Sequence, residues 1–187
     1  MSLAGLESTL LWAGLAVAGL TLAGLVWSAL IPARRIWPPE AYGPLTPYAV
    51  WSLTGLLAGA LIGLGVLGWG GMGLPQWVRY GAGGLLIVLG NLAVWAEVAA
   101  FGFRKTSGAE GGLRTDGLYR VSRHPQYVAD VAMVTGWCLL AASAPAALPG
   151  AGVVLVLLAA PLAEEPWLEE RHGAAYRRYK ARVRRYL

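Results

Sequence analysis

Five stretches of the chain are almost wholly apolar, and each is close to the roughly 20 residues an α-helix needs to cross a bilayer's hydrocarbon core. They run over about Leu10–Ile31, Tyr48–Trp69, Tyr80–Phe101, Val128–Ala144 and Ala147–Ala163. The last two are short and are joined by a tight turn containing Pro145. The tail from Trp167 to Leu187 has a different pattern. Leu168, Ala175 or Tyr176, Tyr179, Val183 and Tyr186 recur every three to four residues, and Arg177, Arg178, Lys180, Arg182, Arg184 and Arg185 fall mostly elsewhere around the helix. A basic helix with an aromatic face lies on the headgroup layer. The pattern predicts an all-α fold, a polytopic transmembrane helical bundle of about five spans with an amphipathic C-terminal helix. Residues 1–101 form the N-terminal transmembrane helices and 102–187 a loop, a helical hairpin and the tail, all within one membrane domain.

Composition supports the membrane. Hydrophobic residues make up 57% of the chain and charged residues 13%, against about 25% charged in an ordinary soluble domain. A soluble apolar bundle would lack the residues to cover its surface. The first span is no convincing signal peptide, because its N-terminal flank holds Glu7 and no Lys or Arg and the run is long for such a segment. Orientation follows from the basic residues. One side of a five-span chain receives the 31–47 loop, the 102–126 loop and the tail, which together hold 14 of the 15 Lys and Arg residues; only Arg79 lies on the other. The N-terminus is therefore expected outside and the C-terminus in the cytosol. The net charge of +5 reads as orientation and attraction to anionic lipid, not as nucleic-acid binding. Cys138 is the only cysteine, which excludes an intramolecular disulfide and a Cys-based metal site. No metal site is expected.

Four further features bear on organisation. Gly55, Gly59 and Gly63 share a face of the second span in the small-xxx-small spacing that lets helices approach closely. Trp27, Trp37, Trp51, Trp69, Trp77 and Trp167 sit near span ends, as interfacial anchors do. Gly68-Trp69-Gly70-Gly71-Met72-Gly73 matches G-x-G-x-x-G by letter, but a dinucleotide site needs a strand before it and a helix after it. Here the run is a turn between two spans. The polar, glycine-rich loop from Gly102 to Ser122 either orders over a ligand or merely connects.

Chemistry collects at the two ends of the last hairpin. Arg123-His124-Pro125-Gln126-Tyr127 opens it and Glu164-Glu165 closes it, so the hairpin returns both ends to one side. Pro125 suits a first helical turn, which puts Arg123 and His124 at the positive end of a helix dipole. Cations are disfavoured there, and an anion is welcome. Glu164 and Glu165 offer acceptors for hydroxyl or ammonium donors, and charge for a cation such as a sulfonium. Glu165 is expected at the membrane interface, where its removal would leave no core cavity.

These residues form a longer pattern, Gly117-Leu118-Tyr119-Arg120-Val121-Ser122-Arg123-His124-Pro125-Gln126-Tyr127, then the hairpin, then Glu164-Glu165-Pro166-Trp167-Leu168 and Gly173-Ala174-Ala175-Tyr176-Arg177-Arg178-Tyr179. It resembles the isoprenylcysteine carboxyl methyltransferases and the related phospholipid N-methyltransferases over about residues 100–187. The resemblance implies an integral-membrane enzyme that uses S-adenosylmethionine on a lipophilic acceptor coming from the bilayer. It implies that Arg123, His124, Tyr127, Glu164 and Glu165 contribute to the cofactor pocket, with Tyr119 beside them and Tyr176 and Tyr179 towards the substrate. The chain departs from the pattern at Ala129, where Gly is usual, at His172, where Phe is common, and in the tail, where Arg184-Arg185 stands in the region of a late proline. The tail differences bear on the acceptor and on the geometry of any lid.

Methyl transfer is an in-line displacement that requires alignment and the exclusion of water. Aromatic faces such as Tyr119, Tyr127 and Tyr176 can stabilise a sulfonium. Glu97 and Asp130 are carboxylates a turn or two inside the third and fourth spans, and intramembrane carboxylates are functional candidates by default. Glu97 can instead pair with Arg104, seven residues on. As catalytic groups they would repel a carboxylate substrate and could hold or deprotonate an amine, which favours a lipid amine headgroup. A prenylcysteine-type carboxylate or a small thiol is the alternative acceptor. The non-enzymatic alternative is a small transporter or scaffold using Glu97 and Asp130 for ion passage, although no inverted repeat of the kind such folds carry is visible.

Overall fold

The computed structural model describes residues 2–40, 43–101 and 112–187, the side chains of 97, 98, 100 and 101 excepted. The described residues form five helices: α1 (Leu3–Leu30), α2 (Thr46–Leu67), α3 (Gly84–Phe101), α4 (Pro125–Ala141) and α5 (Ala144–Lys180). A π-helical turn, Trp77–Gly83, leads into α3, and short 3-10 turns lie at Pro32–Arg34 and Gly117–Arg120. The described residues contain no strand, only one isolated bridge between Ser122 and Arg184. The expected all-α bundle is the fold.

Local chemistry sets the helix ends. The Ser2 hydroxyl accepts the Gly5 N–H at 3.2 Å and caps α1. Pro47 and Pro125 stand in the first turns of α2 and α4, where a missing N–H costs nothing. α4 ends on Ala142, at φ 47° and ψ 44°. This is left-handed backbone that non-glycine residues seldom adopt. Its carbonyl accepts the Met72 N–H at 2.8 Å, so the α2–α3 turn docks on the α4–α5 turn and holds it.

Among the described residues, four helical segments are long and apolar enough to cross a membrane: Leu3–Leu30, Thr46–Leu67, Trp77–Ala96 and Ala144–Lys180. α4 has 17 residues, or about 25 Å at ~1.5 Å per residue, slightly less than a hydrocarbon core of about 30 Å. It runs antiparallel to the first half of α5. α5 packs against α1, α2 and α4, and α3 lies on the outer side of α4.

Two expectations are corrected. Gly55 and Gly59 meet nothing within 4 Å, and only Gly63, facing Leu10, lies at a helix contact. α2 buries Ala60, Leu61, Leu64 and Gly65 instead, near its C-terminal end. The close approach belongs to α3 and α4. A Cβ on Gly136 would lie 2.7 Å from the Gly83 carbonyl, and one on Gly90 would lie 2.7 Å from the Ala129 carbonyl. The tail also departs from a single surface helix. α5 continues through Glu164 and Glu165 as far as Gly173, whose φ of 51° and ψ of −126° are not helical. There the chain folds back, and Lys180 Nζ reaches Glu169 at 3.5 Å and Glu165 at 3.9 Å.

Candidate active site

The reversal at Gly173 and the α4–α5 hairpin converge on Glu165, which is 3% exposed. Arg123 donates to its Oε1 through Nε at 3.0 Å and Nη2 at 2.6 Å. Arg185 donates to Oε1 at 3.0 Å and to Oε2 at 2.8 Å. Burial raises the pKa of Glu165, but the His124, Arg185 and Arg123 groups around it more than reverse that, and the carboxyl is held well below its usual range. With Lys180 beyond them, three cations surround one carboxylate.

The backbone secures the clamp. Arg123 N–H donates to the Arg184 carbonyl at 2.9 Å, the Ser122 hydroxyl to the Arg185 carbonyl at 3.1 Å, and Arg123 Nη1 to the Val183 carbonyl. The tail is thereby tied to the start of α4. Tyr179 completes the tie. Its hydroxyl donates to the Tyr119 carbonyl at 2.7 Å, and burial, partly offset by Arg123, pushes its pKa up to about 12.

Glu164 belongs to a second group one residue away. Its Oε1 accepts the Tyr127 hydroxyl at 2.5 Å and the Trp37 indole N–H at 2.8 Å. The His124 ring stands between the two carboxylates, with Nδ1 3.6 Å from Glu164 and Nε2 3.6 Å from Glu165. Both separations are too long for hydrogen bonds. Four buried polar atoms have no hydrogen-bond partner among the described residues, and two of them, His124 Nε2 and the Tyr176 hydroxyl, belong to this cluster; the others are Arg35 Nε and Arg79 Nη2. Such orphans are uncommon in folded proteins and call for an explanation. Between α5 before Gly173 and the folded-back tail lies an open cleft of about 520 Å³, lined by Leu162, Glu165, Glu169, Arg177, Lys180 and Arg185 among others.

The phospholipid methyltransferase family profile matches residues 78–175, more than half of the 187-residue chain. The chain belongs to the phospholipid methyltransferase family. No curated protein and no solved structure gives a significant match. The family is one of membrane methyltransferases, which agrees with the apolar helices, and the chain is an integral membrane protein of that kind.

Most of the anticipated residues of this methyltransferase-family chain meet in one cluster: Arg123, His124, Tyr127, Glu164, Glu165, Tyr176 and Tyr179. Tyr119 enters through its carbonyl; its ring lies under the Arg114 guanidinium, 5.6 Å from it. Tyr176 and Tyr179 are 1% and 2% exposed, so they turn inward and not onto the headgroup layer. Tyr179 is committed to backbone carbonyls, which leaves Tyr176 as the hydroxyl open to a ligand. Asp130 is half-buried on α4, one turn in from Tyr127, with no hydrogen bond or ion pair among the described residues. The Glu97 side chain, its pairing with Arg104, and the loop from Gly102 to Gly111 lie outside the described residues.

Glu165 itself requires a correction. It is not an interfacial side chain but the buried centre of an ion cluster, because α5 runs on past the expected end at Ala163. Four participants were missed: Trp37, Ser122, Lys180 and Arg185. Trp37 reads in sequence as a membrane anchor, and no spacing links it to Glu164. Arg185 did carry a signal, since it sits where the tail departs from the family pattern.

Proposed function

We propose that this chain is an S-adenosylmethionine-dependent methyltransferase working at the cytosolic boundary of the membrane on an amine-bearing lipid. The supporting observation is the pair of buried, unpartnered atoms, His124 Nε2 and the Tyr176 hydroxyl, beside Glu164 and Glu165. S-adenosylmethionine would supply an electrophilic methyl group on a sulfonium. The residues present suit its functional groups. His124 Nε2 and the Tyr176 hydroxyl would meet polar groups of the cofactor, Glu164 would accept from hydroxyl or ammonium donors, and the Tyr127 ring would face positive charge. The surplus of cations around Glu165 suits a carboxylate or a phosphate.

Members of the family generally use this cofactor, and the chemistry needs little beyond alignment and dryness. The folded-back tail buries the cluster and would exclude water. Asp130, unpaired at the edge of the apolar region, supports an amine acceptor. A carboxylate acceptor would sit beside a second negative charge where repulsion is poorly screened, whereas an amine must lose a proton that a carboxylate can take. Glu97, on α3, is proposed for the same role. Residues 1–101 would act mainly as scaffold and 102–187 as the cofactor-binding part of one membrane domain. By the Lys/Arg census the N-terminus lies outside, with the site and the C-terminus facing the cytosol.

Titration calorimetry of S-adenosylhomocysteine into detergent-solubilised protein tests the reading. Micromolar affinity, about −8 kcal/mol, is expected; no heat together with no thermal shift would return the chain to the transporter or scaffold alternative. A side-by-side assay with labelled cofactor compares ethanolamine phospholipids with prenylated cysteine carboxylates. Preferential methylation of the lipid amine is expected, with slower turnover and retained cofactor binding in Asp130→Asn and Glu97→Gln. Preference for the carboxylate, or full activity in both variants, means that these two groups are structural.

A further inference from the structure

A segment outside the family match reaches directly into the cluster. Ser28, 1% exposed on the last turn of α1, accepts the backbone N–H groups of Ile36 at 2.9 Å and Trp37 at 3.1 Å. Its own hydroxyl proton goes to the Gly24 carbonyl at 2.7 Å. One residue earlier, Arg35 pairs with Glu170 on α5 at 2.7 Å. The loop after α1 is therefore tied to α1 at one point and to α5 at another. Trp37 packs on the cluster of Leu25, Val156, Ala160 and Ala163, alongside Tyr127.

That placement sets the geometry of Glu164. The Trp37 indole N–H and the Tyr127 hydroxyl both donate to Oε1. No described group donates to Oε2, whose neighbour His124 Nδ1 is 3.6 Å away. A glutamate carboxylate turns readily about its terminal bond, and a single donor would leave that rotation open. Two donors, one from the loop and one from α4, fix the same oxygen and so fix the plane. The other oxygen is left to accept.

We propose that Trp37 is a positioning residue for Glu164: its indole N–H holds Oε1 so that Oε2 is presented to a hydroxyl or ammonium donor of the bound cofactor. The proposal rests on the cofactor reading above. It assigns a part of the site to the N-terminal half of the chain, beyond the matched segment.

Trp37→Phe keeps a large aromatic ring and removes only the donor. S-adenosylhomocysteine affinity, measured by calorimetry, should fall about tenfold, as for one hydrogen bond to a charged group. In turnover assays KM for the cofactor should rise more than kcat falls. In a Glu164→Ala background, Trp37→Phe should cause no further loss of affinity, because the group it positions is gone. Additive losses in that cycle, or equal affinity of Trp37→Phe and parent, would overturn the proposal while leaving the cofactor reading intact. A parent that binds no S-adenosylhomocysteine would overturn both. Should Trp37→Phe fail to fold, the ¹⁵N–¹H indole resonance of Trp37 in the ligand-free parent decides. It should move in Glu164→Ala, and an unmoved resonance refutes the hydrogen bond.

Discussion

Glu165 is the buried carboxylate that joins the start of α4 to the tail, through Arg123 and Arg185. It is buried against Arg123, whose own side chain is 8% exposed, and removing either partner leaves a charge in low dielectric. Breaking a buried pair from one side costs about 3–5 kcal/mol. Glu165→Ala is therefore expected to lower the melting temperature in detergent markedly, with Glu165→Gln less damaging because it still accepts a hydrogen bond; circular dichroism melts of both, without ligand, check this. The pH dependence has a definite sign. The folded carboxyl has a depressed pKa, so its contribution to stability is complete above the unfolded value of about 4.3. It is lost as the pH falls from there towards the folded value. Tyr179 acts at the other end of the scale. Its folded pKa is raised to about 12 from an unfolded value of about 10. Its contribution is complete below pH 10 and declines as the pH rises towards 12. Melts across pH should show an acid limb that weakens in Glu165→Gln and an alkaline limb that weakens in Tyr179→Phe.

At the scale of elements, glycines are informative only through their neighbours. Gly59 faces open space, whereas Gly136 lies against the Gly83 carbonyl. Gly136→Ala must push α3 from α4 and is expected to cost about 1–3 kcal/mol, the usual range for overpacking. Gly59→Ala should be neutral or stabilising by up to about 1 kcal/mol, the difference in helix propensity. Melting the two variants side by side separates them, and equal effects would refute the packing. Gly173 is a third case. Its positive φ is unfavourable for any residue with a Cβ, at about 1–3 kcal/mol. That strain sits at the hinge that returns Tyr176, Lys180 and Arg185 to Glu165. Gly173→Ala should therefore loosen the tail, seen as faster amide exchange at residues 176–185, and weaken S-adenosylhomocysteine binding.

Among the described residues, the basic side chains of the loop after α1, of the start of α4 and of the tail gather at one end of the apolar helices. The cluster, the tail and the loop after α1 lie together, and Arg79 stands at the other end, stacked 5.2 Å over the ring of Trp69. The basic side is expected in the cytosol. A fluorescent reporter fused to the C-terminus should be active in cells, and one that requires export should be active only at the N-terminus; the reverse pattern would overturn the orientation.

Much of this arrangement was legible in the chain itself. Apolar runs set the helices, because a backbone in hydrocarbon must satisfy its own hydrogen bonds. That Arg123, His124, Tyr127, Glu164 and Glu165 come together was legible, because a hairpin cancels sequence distance. The pairing of α3 with α4 left a trace in Gly83 and Gly90, matched by Ala129 and Gly136 at the same seven-residue spacing, but a repeat does not name its partner. The folded structure alone decided the rest. That Trp37 binds Glu164, that Arg185 shares Glu165 with Arg123, and that Tyr176 and Tyr179 face inward all depend on loop and tail trajectories. Those trajectories are set by a buried hydroxyl at Ser28 and one left-handed turn at Gly173. Hydrophobic pattern is a property of each segment, whereas these polar contacts arise only when three separate parts of the chain arrive at one place.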